Sequence, residues 1–185
     1  MALLDRDDSV LVVVDAQPRF LSAEADPAVE RMAWLVAVAA RLGIPVVVTE
    51  EEPERNGVTD ARVADRLPVG APVFTKPTFG LAGTPAILDA VRVTGRGTVV
   101  VIGCETDVCV AQSAIGLRGS GFECVVVEDA TFSPGEMHER GLARIDSEGV
   151  VRNHAKGVTY EWLRTVEDAH AVFGDPSLPS PPFRL

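Results

Sequence analysis

The 185-residue sequence predicts a doubly wound α/β domain: a mostly parallel sheet of five or six strands with helices on both faces. Two observations carry that reading. Five runs rich in β-branched residues recur along the chain, each continuously apolar rather than alternating, as in strands buried on both faces. Between them lie segments of helical periodicity bounded by helix start and stop residues.

The strands are expected at "VLVVVD" (10–15), "IPVVVTE" (44–50), "APVFTK" (71–76), "GTVVVIG" (97–103) and "ECVVVED" (123–129). The first helix, 26–43, opens on Asp26 and Pro27 and closes on Gly43. The second, 84–93, opens on Thr84 and Pro85, placing proline where a helix needs no amide donor. Further helices are expected over 106–119, 135–149 and 155–174. Segment 50–70 is the longest stretch between strands and reads as a loop with a short helix. Its many acids read as a solvated face. "DPSLPSPPFRL" is too proline-rich for a helix, which gives one domain over 1–174 and a Pro-rich tail over 175–185.

A formal charge of −10 would repel phosphate backbones and anionic headgroups, so neither nucleic acid nor a membrane surface is an expected partner. The apolar runs are too short to span a bilayer. The N-terminus lacks a basic region and a small-residue cleavage site, and the expected location is the cytoplasm. Three cysteines cannot all pair within one chain, and none is read as a structural disulfide.

In open α/β sheets the ligand crevice lies beyond the carboxyl ends of the strands, and three reactive groups fall there. Asp15 closes the first strand, Lys76 closes the third, and Cys109 opens the helix after the fourth. With Thr106 as N-cap, Cys109 occupies the first helical turn, where unpaired amides and the helix dipole favour a thiolate of lowered pKa. Asp15 is then the proton acceptor, and Lys76 holds the ion pair or polarises the substrate. On position alone Cys109 reads as a small buried apolar residue, as most free cysteines are, and Asp15 and Lys76 as strand-end caps or an ordinary ion pair.

Three segments add to that reading. "VVVDAQPRF" (12–20), "KPTFGLAGT" (76–84) and "GCETDVCV" (103–110) resemble, in order and separation, the signature segments of the isochorismatase-like cysteine hydrolases. The similarity extends over roughly 8–170 and includes "YEWL" (160–163). The resemblance implies a Rossmann-like sheet, an Asp15, Lys76, Cys109 triad, attack by sulfur, and hydrolysis of a thioester after loss of ammonia or an amine. It also implies a cis peptide between Cys104 and Glu105, with the amides of Glu105 and Cys109 aimed at an oxyanion. Homo-oligomers, as dimers or tetramers whose neighbouring subunits complete the pocket, are a further implication.

Departures from the family narrow the reading. Nicotinamidases of this family bind metal through an Asp-x-His pair after the second strand, and "TEEEPERNG" (49–57) has no histidine. His138, His154 and His170 lie late in the chain without metal-ligand spacing, so no metal or other cofactor is expected. The metal-free branch is the better likeness. Gln17, Phe20 and Phe79 flank the first two triad positions and are candidates to line the pocket, with core packing the alternative for the phenylalanines. Glu105 either bonds substrate or faces solvent.

The function that follows is C–N hydrolysis of a small amide or carbamoyl compound by a cysteine nucleophile. Two alternatives stand beside it. One is vinyl ether or ester cleavage with Asp15 as the acid, and the other a small-molecule binding protein without turnover.

Overall fold

Six parallel strands form a single sheet in the order β3-β2-β1-β4-β5-β6. The structure is a computed structural model and describes residues 2–184. The strands are β1 (Ser9–Val14), β2 (Val46–Glu51), β3 (Val73–Lys76), β4 (Thr98–Cys104), β5 (Glu123–Phe132) and β6 (Val151–Asn153). Every pairing is parallel, and β1 and β4, the innermost pair, are buried along their whole length. That burial explains why their sequences do not alternate. The short, half-exposed β6 was not among the five expected runs, because three residues at an edge carry no periodic signal.

On one face lie α1 (Asp26–Leu42), α7 (Ala155–Leu163) and α8 (Val166–Phe173). Apolar residues surround α1 almost completely, since it packs on the sheet and is itself covered by α7 and the segment after α8. Gly43, at φ 70°, supplies the left-handed stop that ends it. The single helix expected over 155–174 is two helices. Arg164 takes φ 64° and donates to the carbonyls of Leu3 and Leu4, while Thr165 caps α8 by accepting from the Asp168 amide. In the proline-rich segment, Phe183 sits edge-on to Trp34 and Asp175 pairs with Arg41.

The other face carries α4 (Pro85–Val93), α5 (Ala111–Gly119) and α6 (Met137–Ser147). Two short helices, α2 (Pro53–Asn56) and α3 (Ala61–Ala64), lie in the β2–β3 connection. Chain order reverses between β1 and β4, and the crevice at their carboxyl ends is where this topology places a ligand.

Candidate active site

Strand register decides which side chains meet. Lys76 ends β3 opposite Glu51 of β2, Thr49 of β2 pairs with Val14 of β1, and Asp15 follows at once. Neighbouring strands stand about 4.8 Å apart, so a side chain leaving β3 must cross roughly 10 Å to reach β1. The Lys76 stem does this, fully buried, and its Nζ lies 2.6 Å from Asp15 Oδ2. The same Nζ stands 3.6 Å from Cys109 Sγ and donates to the Thr78 carbonyl at 2.9 Å.

Asp15 is completely buried and sits at φ 46°, a left-handed conformation that costs an L-residue about 1–2 kcal/mol. Its amide donates to the Thr49 carbonyl and its carbonyl accepts from the Gln17 amide, which together hold it there. Thr49 Oγ1 donates to Oδ1 at 2.9 Å. Oδ2 faces the Lys76 ammonium as an ion pair, and a carboxylate oxygen in that setting still has a lone pair for an incoming proton. Burial raises the Asp15 pKa, against the opposing pull of Lys76.

Cys109 reaches the cluster from a π-helical turn, Thr106–Val110, that precedes α5. The amides of Val110 and Ala111 donate to carbonyls five residues back, at Glu105 and Thr106. Two expectations change here. Thr106 does not cap the helix, because its hydroxyl bonds His138 Nδ1 at 2.9 Å and Glu105 holds the cap position. The thiol pKa is raised rather than lowered, first by burial and then by the charge on Asp15, which together outweigh Lys76. Burial and the neighbouring carboxylate thus disfavour the thiolate, and a base beside the sulfur would assist its attack.

The peptide bond between Cys104 and Glu105 is cis. Cys104 is wholly buried, while Glu105 is half-buried with its pKa raised chiefly by burial. A cleft of about 460 Å³ opens beside Lys76, lined among others by Glu51, Arg55, Thr78 and the half-exposed Phe79. Gln17 and Phe20 do not line it. The Gln17 carboxamide accepts from the Glu51 amide and donates to the carbonyls of Glu51 and Gly57, tying the β2 end to its loop. Phe20 packs against the α1-side core. A larger cavity, about 590 Å³, lies between α1, α3 and Pro179–Pro182, and none of Asp15, Lys76 and Cys109 lines it.

Glu51 was not singled out in the sequence, where it stands in an acidic run that reads as solvated. Its Oε2 accepts from Cys109 Sγ at 3.4 Å and lies 3.9 Å from Lys76 Nζ. Glu50 beside it is buried and accepts twice from Thr59. The signal that could have found Glu51 is the one that found Asp15 and Lys76, a polar residue closing a parallel strand. Among the described residues, Asp15, Glu51 and Cys109 form the one trio of possible metal ligands, with donor atoms within 4.8 Å. The Lys76 ammonium lies against both carboxylates and supplies that trio's counter-charge.

The model of the isochorismatase domain matches residues 9–156, most of the chain. This chain belongs to the isochorismatase family. Isochorismatase domain-containing protein 1 of Danio rerio is 33% identical over 168 residues, 86% of this chain and 56% of that protein. The chain therefore spans little more than half that relative's length. Among solved structures, the octameric YcaC hydrolase of Escherichia coli superimposes with a TM-score of 0.85 at 23% identity, over 94% of this chain and 90% of that one. YcaC from Pseudomonas aeruginosa, determined with hexane-2,5-diol and covalent acrylamide, gives 0.81 at 24% identity, covering 92% and 90%. Family membership leaves the activity and the substrate open. No helix among the described residues is long and apolar enough to cross a membrane.

Proposed function

We propose that this isochorismatase-family chain is a cysteine hydrolase that cleaves the C–N bond of a small amide or carbamoyl compound through a thioester on Cys109. One observation carries the reading: a buried carboxylate and the Cys109 sulfur share one ammonium, at 2.6 Å and 3.6 Å. Asp15 takes the thiol proton as Sγ attacks the carbonyl carbon, and Lys76 offsets the negative charge that appears on sulfur and oxygen. The amides of Glu105 and Cys109 receive the oxyanion. Asp15 then protonates the departing nitrogen, and the C–N bond breaks to leave a thioester. Water gives a proton to Asp15 as its oxygen attacks, and sulfur recovers that proton on leaving. The cleft suits a small molecule.

The test is ammonia release by the full chain from a panel of primary amides and carbamoyl compounds, with intact-mass detection of an acyl adduct. Wild-type turnover in Cys109→Ala would end the thiol mechanism. Activity retained in Cys109→Ala but lost in Asp15→Asn would instead indicate C–O cleavage with Asp15 as the acid. Because the Pseudomonas YcaC holds covalent acrylamide, that reagent is the first probe for Cys109 here.

The same reading extends to assembly and location. We place the chain in a homo-oligomer, a dimer, a tetramer or an octamer such as the E. coli YcaC, to be measured by mass photometry at working concentration. A reducing, cytoplasmic setting fits three buried free thiols.

A further inference from the structure

Glu51 occupies a place in this cleft that neither the proton transfer nor the fold requires. Its backbone is fixed from three directions. Gln17 bonds both its amide and its carbonyl, and Asn56 Nδ2 donates to that carbonyl at 2.9 Å. The next residue, Glu52, turns the chain away at φ 39°. The side chain that projects from this anchored position is one-fifth exposed and lines the cleft.

The Glu51 carboxylate is held only through Oε2, by the Cys109 thiol at 3.4 Å and by Lys76 at 3.9 Å. Lys76 is closest to Asp15, at 2.6 Å against 3.9 Å for Glu51, and Arg55 pairs with Glu52 at 3.4 Å. Glu51 Oε1 accepts no hydrogen bond from any described residue. Geometry then sets what this carboxylate meets. A carbonyl carbon poised for attack stands about 3–3.5 Å from sulfur, and its amide nitrogen lies roughly 1.3 Å from that carbon. With Oε2 3.4 Å from Sγ, an amide nitrogen turned to the Glu51 side of the attacked carbon comes within hydrogen-bonding range of that carboxylate.

We infer that Glu51 is a specificity-determining residue that accepts a hydrogen bond from an N–H group on the carbon under attack and repels substrates carrying an anion there. The substrate class that fits is a neutral or cationic amide whose nitrogen bears hydrogen, such as a primary carboxamide or a ureido compound. Esters lack the donor, and carboxylates placed beside the reacting carbon meet like charge. The inference rests on the proposed cysteine site and concerns what that site selects.

Iodoacetamide and iodoacetate test it, because they share one reactive carbon and differ only in an amide against a carboxylate. The quantity is the ratio of the two alkylation rates at Cys109, followed by intact mass at one mildly alkaline pH and normalised to 2-mercaptoethanol. A ratio cancels any change in the reactivity of the thiol itself. Cys109 should favour iodoacetamide about tenfold more than the free thiol does, and Glu51→Gln should remove most of that preference. The exposed Glu54→Gln substitution, with the same change in net charge, should leave it intact. In hydrolysis, Glu51→Gln should narrow the preference for primary amides over the matching esters, read as the ratio of their kcat/KM values.

A wild-type ratio equal to that of 2-mercaptoethanol overturns the inference without recourse to any variant, as does an unchanged ratio in Glu51→Gln. Labelled Cys109 with a flat ratio removes this inference alone. A chain whose Cys109 resists both reagents removes the proposed cysteine mechanism with it.

Discussion

The two faces of the sheet are built differently. On the α1 side the packing is bulky: Trp34 stacks with Phe173 at 5.9 Å and meets Phe183 edge-on, and Trp162 is equally buried. The polar ends of both indoles are satisfied, by Thr159 for Trp34 and by Ser9 for Trp162. On the α5 side, glycine lets backbones close in. A Cβ at Gly141 of α6 would stand 2.6 Å from the Asp107 amide, in the turn that carries Cys109. One at Gly116 of α5 would meet Ala82 at 2.9 Å. Large side chains remove apolar area from water, whereas close backbones fix position, and the proposed nucleophile lies on the second side.

The sharpest way to break this contrast is a reciprocal pair. Cys109→Ala should cost about 10⁴-fold or more in turnover, while chemical denaturation shows stability within about 1 kcal/mol of wild type. Trp34→Ala should lose about 3–5 kcal/mol by denaturant midpoint, with activity per folded molecule preserved. Reversal of either pattern would mean that the two faces do not divide stability from positioning.

Gly141→Ala sharpens the comparison at one atom. The new methyl must push the π-helical turn away from α6, and a misplacement near 1 Å is expected to lower kcat by about 10²-fold. Its check is a split readout, in which kcat falls much further than the melting temperature.

Asp15 gives a pH signature. Since burial raises its pKa, the acid limb of the rate profile should lie above the ordinary carboxylate range, with activity lost as pH falls through it and Asp15 takes up a proton. Since the Asp15 charge also helps raise the Cys109 pKa, Asp15→Asn should move the midpoint of iodoacetamide labelling to lower pH while abolishing hydrolysis. Opposite directions for the two measurements separate a base from a structural carboxylate.

Trp162→Phe is the smallest change considered. It keeps an aromatic side chain but removes the 3.0 Å bond from Nε1 to Ser9 and part of the indole's buried volume, so stability should fall by about 1–3 kcal/mol with kcat untouched.

Much of this was legible in the chain. Strands β1, β2, β4 and β5, with α1, declare themselves because burial forces runs of Val and Ile, and because proline and glycine mark helix ends. The break at Arg164 was not legible, as it depends on the carbonyls of Leu3 and Leu4 some 160 residues away. Nor was the engagement of Gln17 by the Glu51 and Gly57 backbone, which directs it away from the cleft.

By itself, then, the sequence determined the α/β class and which residues close the strands, since periodicity and strand-end chemistry are local properties. Only the tertiary structure decided that Lys76 crosses β2 to reach Asp15, that Glu51 turns toward sulfur, and that the thiol pKa is raised rather than lowered. Parallel register sets residues dozens of positions apart side by side, and the burial it creates raises the pKa of acid and thiol alike.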